Sequence, residues 1–180
     1  MTPTALILTL QMDPASAERF TRLRQAHFPP ERNWLAAHVT LFHALPLENL
    51  DDVLRDVADL AATRDMFEMT VDRLLFLGRG VAYALASPEA VSLRSHLAAR
   101  WKKVLSRQDL AWQGRLHITV QNKVEPSIAK ALHAELSRGF VPWQIGATGI
   151  QVWNYVGGPW EPVATFPFAA PSSNQSKLRT

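Results

Sequence analysis

Short apolar runs alternate along this chain with stretches of helical period. Residues 5–12 read as a strand. Asp13 and Pro14 then open a helix over 15–27, since an aspartate N-cap followed by proline at the first helical position is a start signal. Phe28-Pro29-Pro30 ends that helix, and 30–37 is expected as a loop. Residues 38–45 read as a second strand. Leu50, Val53, Leu54, Val57, Leu60 and Ala61 recur at helical spacing. Two extended runs, 67–77 and 81–86, flank Gly78-Arg79-Gly80, a hairpin signal. A long helix is expected over 88–105, with Ser87 as its N-cap.

The pattern then repeats. Residues 116–124 read as a strand, and Pro126 opens a helix over 126–136 that closes near Gly139. Two more extended runs, 144–156 and 163–168, are parted by Gly157-Gly158-Pro159. No low-complexity linker separates the halves. Strands mixed with helices in this way predict an α+β protein with a mostly antiparallel sheet covered on one face. Residues 1–170 are expected to pack as one body with a groove between the halves. Residues 171–180, rich in Ser, Asn, Gln and Lys, have little to bury and are expected to be disordered.

Composition changes this picture little. A chain of 180 residues, 47% hydrophobic, suits one compact domain or two fused lobes. No apolar run approaches the roughly 20 residues of a bilayer-spanning helix, and no secretory leader is recognisable. Cysteine is absent, which removes disulfides and thiolate metal sites. A cytoplasmic location is the default. A formal charge of +3 permits a phosphate-bearing ligand but is not the basic patch of a protein that coats nucleic acid.

The chemistry lies in two tetrads, His38-Val39-Thr40-Leu41 and His117-Ile118-Thr119-Val120, nearly half the chain apart. Both read His, apolar, Thr, apolar. On a strand, side chains at i and i+2 share a face about 7 Å apart. Each His therefore pairs with its Thr on one face, while the apolar pair faces a core. Two such strands across a cleft would offer two imidazoles and two hydroxyls to one ligand. A neutral imidazole can take a proton from an attacking hydroxyl or water, and an imidazolium can give one to the leaving oxygen. The threonines can donate to non-bridging phosphate oxygens.

The competing reading of each His is a strand histidine hydrogen-bonded in a core, and of each Thr, ordinary strand propensity. The matched pair favours chemistry. A metal site is disfavoured, because no carboxylate stands at ligand spacing from either tetrad. Strand parity puts Arg115, Gln121 and Lys123 on the His117 face, where Arg115 or Lys123 could meet a phosphate. Phe42 shares parity with His38 and could stack on a base, though core packing competes. Tyr155 and Trp153 share a face and could also stack. Parity places His43 on the opposite side, with Val39 and Leu41.

The paired tetrads and the duplicated layout resemble the 2H phosphoesterase superfamily, which includes the bacterial 2′–5′ RNA ligases and RNA 2′,3′-cyclic phosphodiesterases. The similarity runs from about Thr4 to Phe168 and includes the 153–161 segment, Trp-Asn-Tyr-Val-Gly-Gly-Pro-Trp-Glu. It implies two pseudo-symmetric lobes, each a mostly antiparallel sheet with helices on its outer face, around a central groove. It implies catalysis by His38 and His117, with Thr40 and Thr119 holding the phosphate. The expected activity is a metal-independent phosphodiesterase on 2′,3′-cyclic phosphates or 2′–5′ bonds, with reverse ligation possible in principle. No cofactor is expected, and the partner is a small nucleotide or RNA-end substrate met by a monomer, with no membrane and no stable protein partner. A nucleotide- or RNA-binding module and a 3′-end RNA-processing nuclease are the alternatives.

Overall fold

The computed structural model describes residues 2–170, so the expectation for 171–180 lies outside the described residues. The first strand, β1 (Ala5–Met12), runs into α1 (Pro14–His27) through Asp13, whose carboxylate accepts from Ser16 N–H at 2.9 Å. That is the capping the Asp-Pro pair predicts. There follow β2 (Val39–Leu45), α2 (Leu50–Ala62), β3 (Phe67–Phe76), β4 (Val81–Ala86) and α3 (Pro88–Arg100). A single turn α4 (Arg107–Leu110), β5 (Leu116–Gln121), α5 (Pro126–Ser137), β6 (Trp143–Tyr155) and β7 (Trp160–Pro167) complete the chain.

The expected helix over 88–105 stops at Arg100. Trp101 turns inward there, its indole N–H on Asp56 at 2.9 Å and its ring edge-on to Phe42. Ser106 then caps α4 by accepting from Asp109 N–H at 3.1 Å. The Ser-x-x-Asp pair is a local start signal that outweighs continuation of the longer helix.

All the strand pairings are antiparallel, in the order β2-β1-β6-β3-β4-β5, with β7 also on β6. The long strand β6 serves both halves. Its residues 147–155 pair with β1, and its residues 143–147 pair with β3. One lobe is thus β2, β1, the later part of β6 and β7. The other is the start of β6 with β3, β4 and β5. The sheet curls until its two end strands, β2 and β5, lie against each other. Leu6, Leu8, Leu10, Ile150 and Val152 of the first lobe are fully or almost fully buried in the core, which α2 covers over β6 and β7. In the second lobe α5 packs on β3 and β4.

Both end strands carry a bulge immediately after the threonine. Thr9 faces Thr40 while Leu8 faces Phe42, so Leu41 has no opposite residue. Ala82 faces Thr119 while Val81 faces Gln121, so Val120 has none. An extra residue shifts the in–out alternation by one. Consequently Leu41 and Phe42 are both fully buried, and Val120 and Gln121 are both buried as well. The regular parity expected from the sequence ends at each threonine.

Candidate functional site

His38 stands one residue before β2, and His117 is the second residue of β5. Val39 and Ile118 are fully buried beside them, and Thr40 and Thr119 share the half-open side of their histidines. The two end strands lie against each other, which brings the two His-x-Thr segments near one another. The rings are close enough for the charge of His117 to act on His38.

His38 Nδ1 lies 2.8 Å from the carbonyl oxygen of Ala36, two residues back. As a donor to that carbonyl it leaves Nε2 with its lone pair toward the groove. The His38 ring also packs on Trp160, with centroids 4.6 Å apart.

Burial depresses both imidazoles. Loss of water lowers His38 to about 4, opposed by the Ala36 hydrogen bond and reinforced by the charges of Arg24, His117 and His43. His117 is also held below the usual imidazole range, first by burial and then by the charge of His43, with the Arg115 backbone opposing.

Three adjoining hollows lie along the β2 side, two of them bordered by His38 or by Thr40 and His43. One of about 470 Å³ includes His38, Trp34, Gln151, Trp153 and Trp160. A second, about 570 Å³, includes Arg24, Arg32, Trp34, Lys123 and Tyr155. A third, about 390 Å³, includes Ile7, Thr40, His43, Tyr155 and Trp160. Trp34, 59% exposed, is an aromatic that sequence reasoning overlooked. It packs so tightly over the 157–159 turn that a Cβ on Gly158 would lie 2.6 Å from its ring.

The other expected site residues fare differently. Tyr155 and Lys123 border the same hollow. Lys123 reaches it from a left-handed turn (φ 60°) beyond β5 rather than by strand parity. Arg115 is exposed ahead of β5 and borders none of the three hollows. Phe42 is corrected outright: the bulge turns it into the core, between Trp101 and the Arg94 guanidinium, where no base can stack on it. The same bulge brings His43 round to the half-open side with Thr40, opposite to its expected side. Gln121 is turned inward and its Oε1 has no partner.

Arg24 was also missed. It is buried on α1, donating to Asn33 Oδ1 at 2.8 Å, Leu35 O at 3.0 Å and Thr119 O at 3.0 Å. No carboxylate pairs with it among the described residues, and burial lowers it to about 10, so it stays charged beside His38. Arg94 is its counterpart on α3, donating to Leu41 O at 2.9 Å. α1, which precedes β2 in the chain, thus packs on and holds the end strand β5, while α3, which follows β4, holds β2. Among the described residues, no three His, Asp or Glu groups converge as a metal cage. No helix there is long and apolar enough to cross a membrane.

The sequence pattern of the 2′–5′ RNA ligase superfamily matches residues 12–159. This chain belongs to that superfamily. Curated proteins offer no match to it. Among solved structures, TT0787 of Thermus thermophilus is similar with a TM-score of 0.62 at 14% identity, covering 93% of this chain and 100% of that one. Escherichia coli LigT complexed with 3′-AMP gives 0.58 at 16% identity, over 93% and 99% of the two chains. LigT complexed with NADP+ gives 0.57 at 20% identity, over 94% and 99%. At such identities the likeness fixes the fold: a 2H phosphoesterase fold of helices and a curled antiparallel sheet. The superfamily is one of phosphoesterases and ligases, and the chain is an enzyme of that kind.

Proposed function

We propose that this protein is a metal-independent phosphodiesterase that opens 2′,3′-cyclic phosphates or cuts 2′–5′ bonds, with His38 and His117 as its proton-transfer pair. The observation that supports this reading is that β2 and β5, the end strands that carry the His-x-Thr segments, lie against each other. His38, the more strongly depressed, starts neutral and takes the proton of an attacking water at Nε2. The water oxygen bonds to phosphorus, and the bond from phosphorus to one ribose oxygen breaks. His117, charged while the phosphate anion is bound, gives its proton to that oxygen. Thr40 and Thr119 donate to the non-bridging oxygens, where negative charge grows.

Trp34, Trp160 and Tyr155 are half-open or exposed aromatics around the groove, suited to a base or ribose. Solved LigT structures hold 3′-AMP, NADP+ and ATP, and a small nucleotide or RNA end is the ligand we infer here. The test is turnover of 2′,3′-cyclic nucleotides, 2′–5′ dinucleotides and cyclic-phosphate-ended RNA in the presence of EDTA. At least one substrate should turn over undiminished. Activity lost in EDTA and restored by Zn²⁺ or Mn²⁺ would overturn the reading, and binding without turnover of any substrate would leave a nucleotide-binding module.

A further inference from the structure

His43 is a third imidazole that the two-histidine scheme leaves idle. The bulge at Leu41 carries it to the side of Thr40, where it borders the 390 Å³ hollow with Tyr155 and Trp160. Behind it lies Asp109, whose side chain is fully buried. The Asp109 carboxylate accepts from His43 N–H at 3.0 Å, Ala44 N–H at 3.2 Å and Ser106 Oγ at 2.9 Å. Its Oδ1 also lies 3.1 Å from His43 Nδ1. Burial pushes this carboxyl up, but the bonds from the His43 ring and backbone, Ala44 and Ser106 outweigh it and hold it below its ordinary range. Asp109 is therefore a carboxylate at neutral pH. It fixes a proton on His43 Nδ1, and Nε2 is the ring nitrogen left to meet a ligand. The ring is 35% exposed, so that nitrogen is within reach of one.

The surroundings are asymmetric. In the other lobe the residue equivalent to His43, just past the Val120 bulge, is Asn122, whose side chain accepts from Lys123 N–H at 2.8 Å. Only the β2 side of the groove carries an imidazole on a buried carboxylate. The charged groups around it are His38 on its own segment, His117 of β5, Asp109 of α4 and, behind Asp109, Arg94 of α3. Arg94 Nη2 lies 3.9 Å from Asp109 Oδ1 and donates to Asp109 O at 2.8 Å, so it fastens the carboxylate rather than opposing the ligand.

We propose that the His43–Asp109 pair is a third anion-binding element beside Thr40, in which His43 Nε2–H donates to a non-bridging oxygen of the phosphate. This rests on the phosphodiesterase reading for its substrate, but not for its detection. In that role Asp109 holds the ring with Nε2 turned to the ligand, through its bond to Nδ1.

The first measurement needs no turnover. Ring-proton NMR of the wild-type protein with and without inorganic phosphate should show the His43 ring signals moving on phosphate addition. The second compares His43→Asn and His43→Gln over pH 5–8.5. Both should raise KM about tenfold and weaken phosphate inhibition similarly, with kcat changed less. Asp109→Asn should weaken phosphate inhibition in the same direction if it stays folded. A His43 ring blind to phosphate, or phosphate inhibition unchanged in both folded His43 variants, would overturn the proposal. An inactive wild type whose rings still answer to phosphate would defeat the phosphodiesterase reading and leave this one standing.

Discussion

At the scale of single residues, the decisive physical fact is that two imidazoles share a poorly hydrated groove. His38→Ala and His117→Ala should each lower kcat by roughly 10²–10⁴, the usual size of a general acid–base contribution. The double variant should lose less than the product of the two, because the pair acts as a unit. Thr40→Ala and Thr119→Ala should cost about 1.5–3 kcal/mol each in transition-state binding, as lost hydrogen bonds to a charged group. Steady-state kinetics on variants checked for folding by circular dichroism decide this. The pH profile follows from the same burial. With both free rings held below the ordinary 6.5, the singly protonated pair is most populated on the acid side of that value. The kcat/KM profile should be a bell centred below pH 6.5. The kcat profile should peak at higher pH, since a bound phosphate anion favours the imidazolium. A kcat/KM maximum above pH 7 would contradict this. That each His shares a face with its Thr was legible, because residues two apart need only one regular step to face the same way. His43, Phe42 and Gln121 were not, because one unpaired residue in each strand reverses every side chain after it.

At the scale of elements, strand and helix positions followed the hydrophobic period closely, and Asp13-Pro14 and Ser87 cap as their residue types dictate. What periodicity hides is the use of charge inside an apolar stripe. Phe20 and Arg24 stand four apart on the buried face of α1, as Ala90 and Arg94 do on α3. A guanidinium on such a face is a signal that some backbone carbonyl needs it, and here the carbonyls include Thr119 O and Leu41 O of the two histidine strands. Arg24→Met keeps the stem but leaves Thr119 O, Leu35 O and Asn33 Oδ1 without their donor. Loss of about 1.5–3 kcal/mol is expected. It should appear as a lower urea midpoint at unchanged m. Because Thr119 loses its anchor, kcat should fall as well, although Arg24 is not a proton carrier. Unchanged kcat in a destabilised variant would confine Arg24 to stability.

At the scale of the whole molecule, the groove imposes a stability cost that pH reveals. Burial holds folded His38 near 4, whereas an unfolded histidine titrates near its ordinary 6.5. Between those values the unfolded chain binds more protons, so stability is complete above pH 6.5 and is lost as pH falls toward 4. His38→Gln should flatten the fall in urea midpoint between pH 7 and 4.5. An identical slope in the variant would mean that other groups carry it. The lobes, the antiparallel pairing and the groove were readable from the repeated pattern. The sharing of one strand between both lobes was not, since nothing in a run of apolar residues says how many neighbours it will have. That shared strand has a consequence for how the protein is made. When residue 137 has left the ribosome, both histidines and both threonines are already present. Yet β1 and β3 do not touch, and only β6 joins their ladders. The nascent chain therefore carries its complete reactive set while still unable to assemble it, and competence arrives late and all at once with the strand that bridges the halves. A fragment ending at residue 141 should be inactive, and a peptide spanning 142–170 added in trans is the piece that would have to restore it.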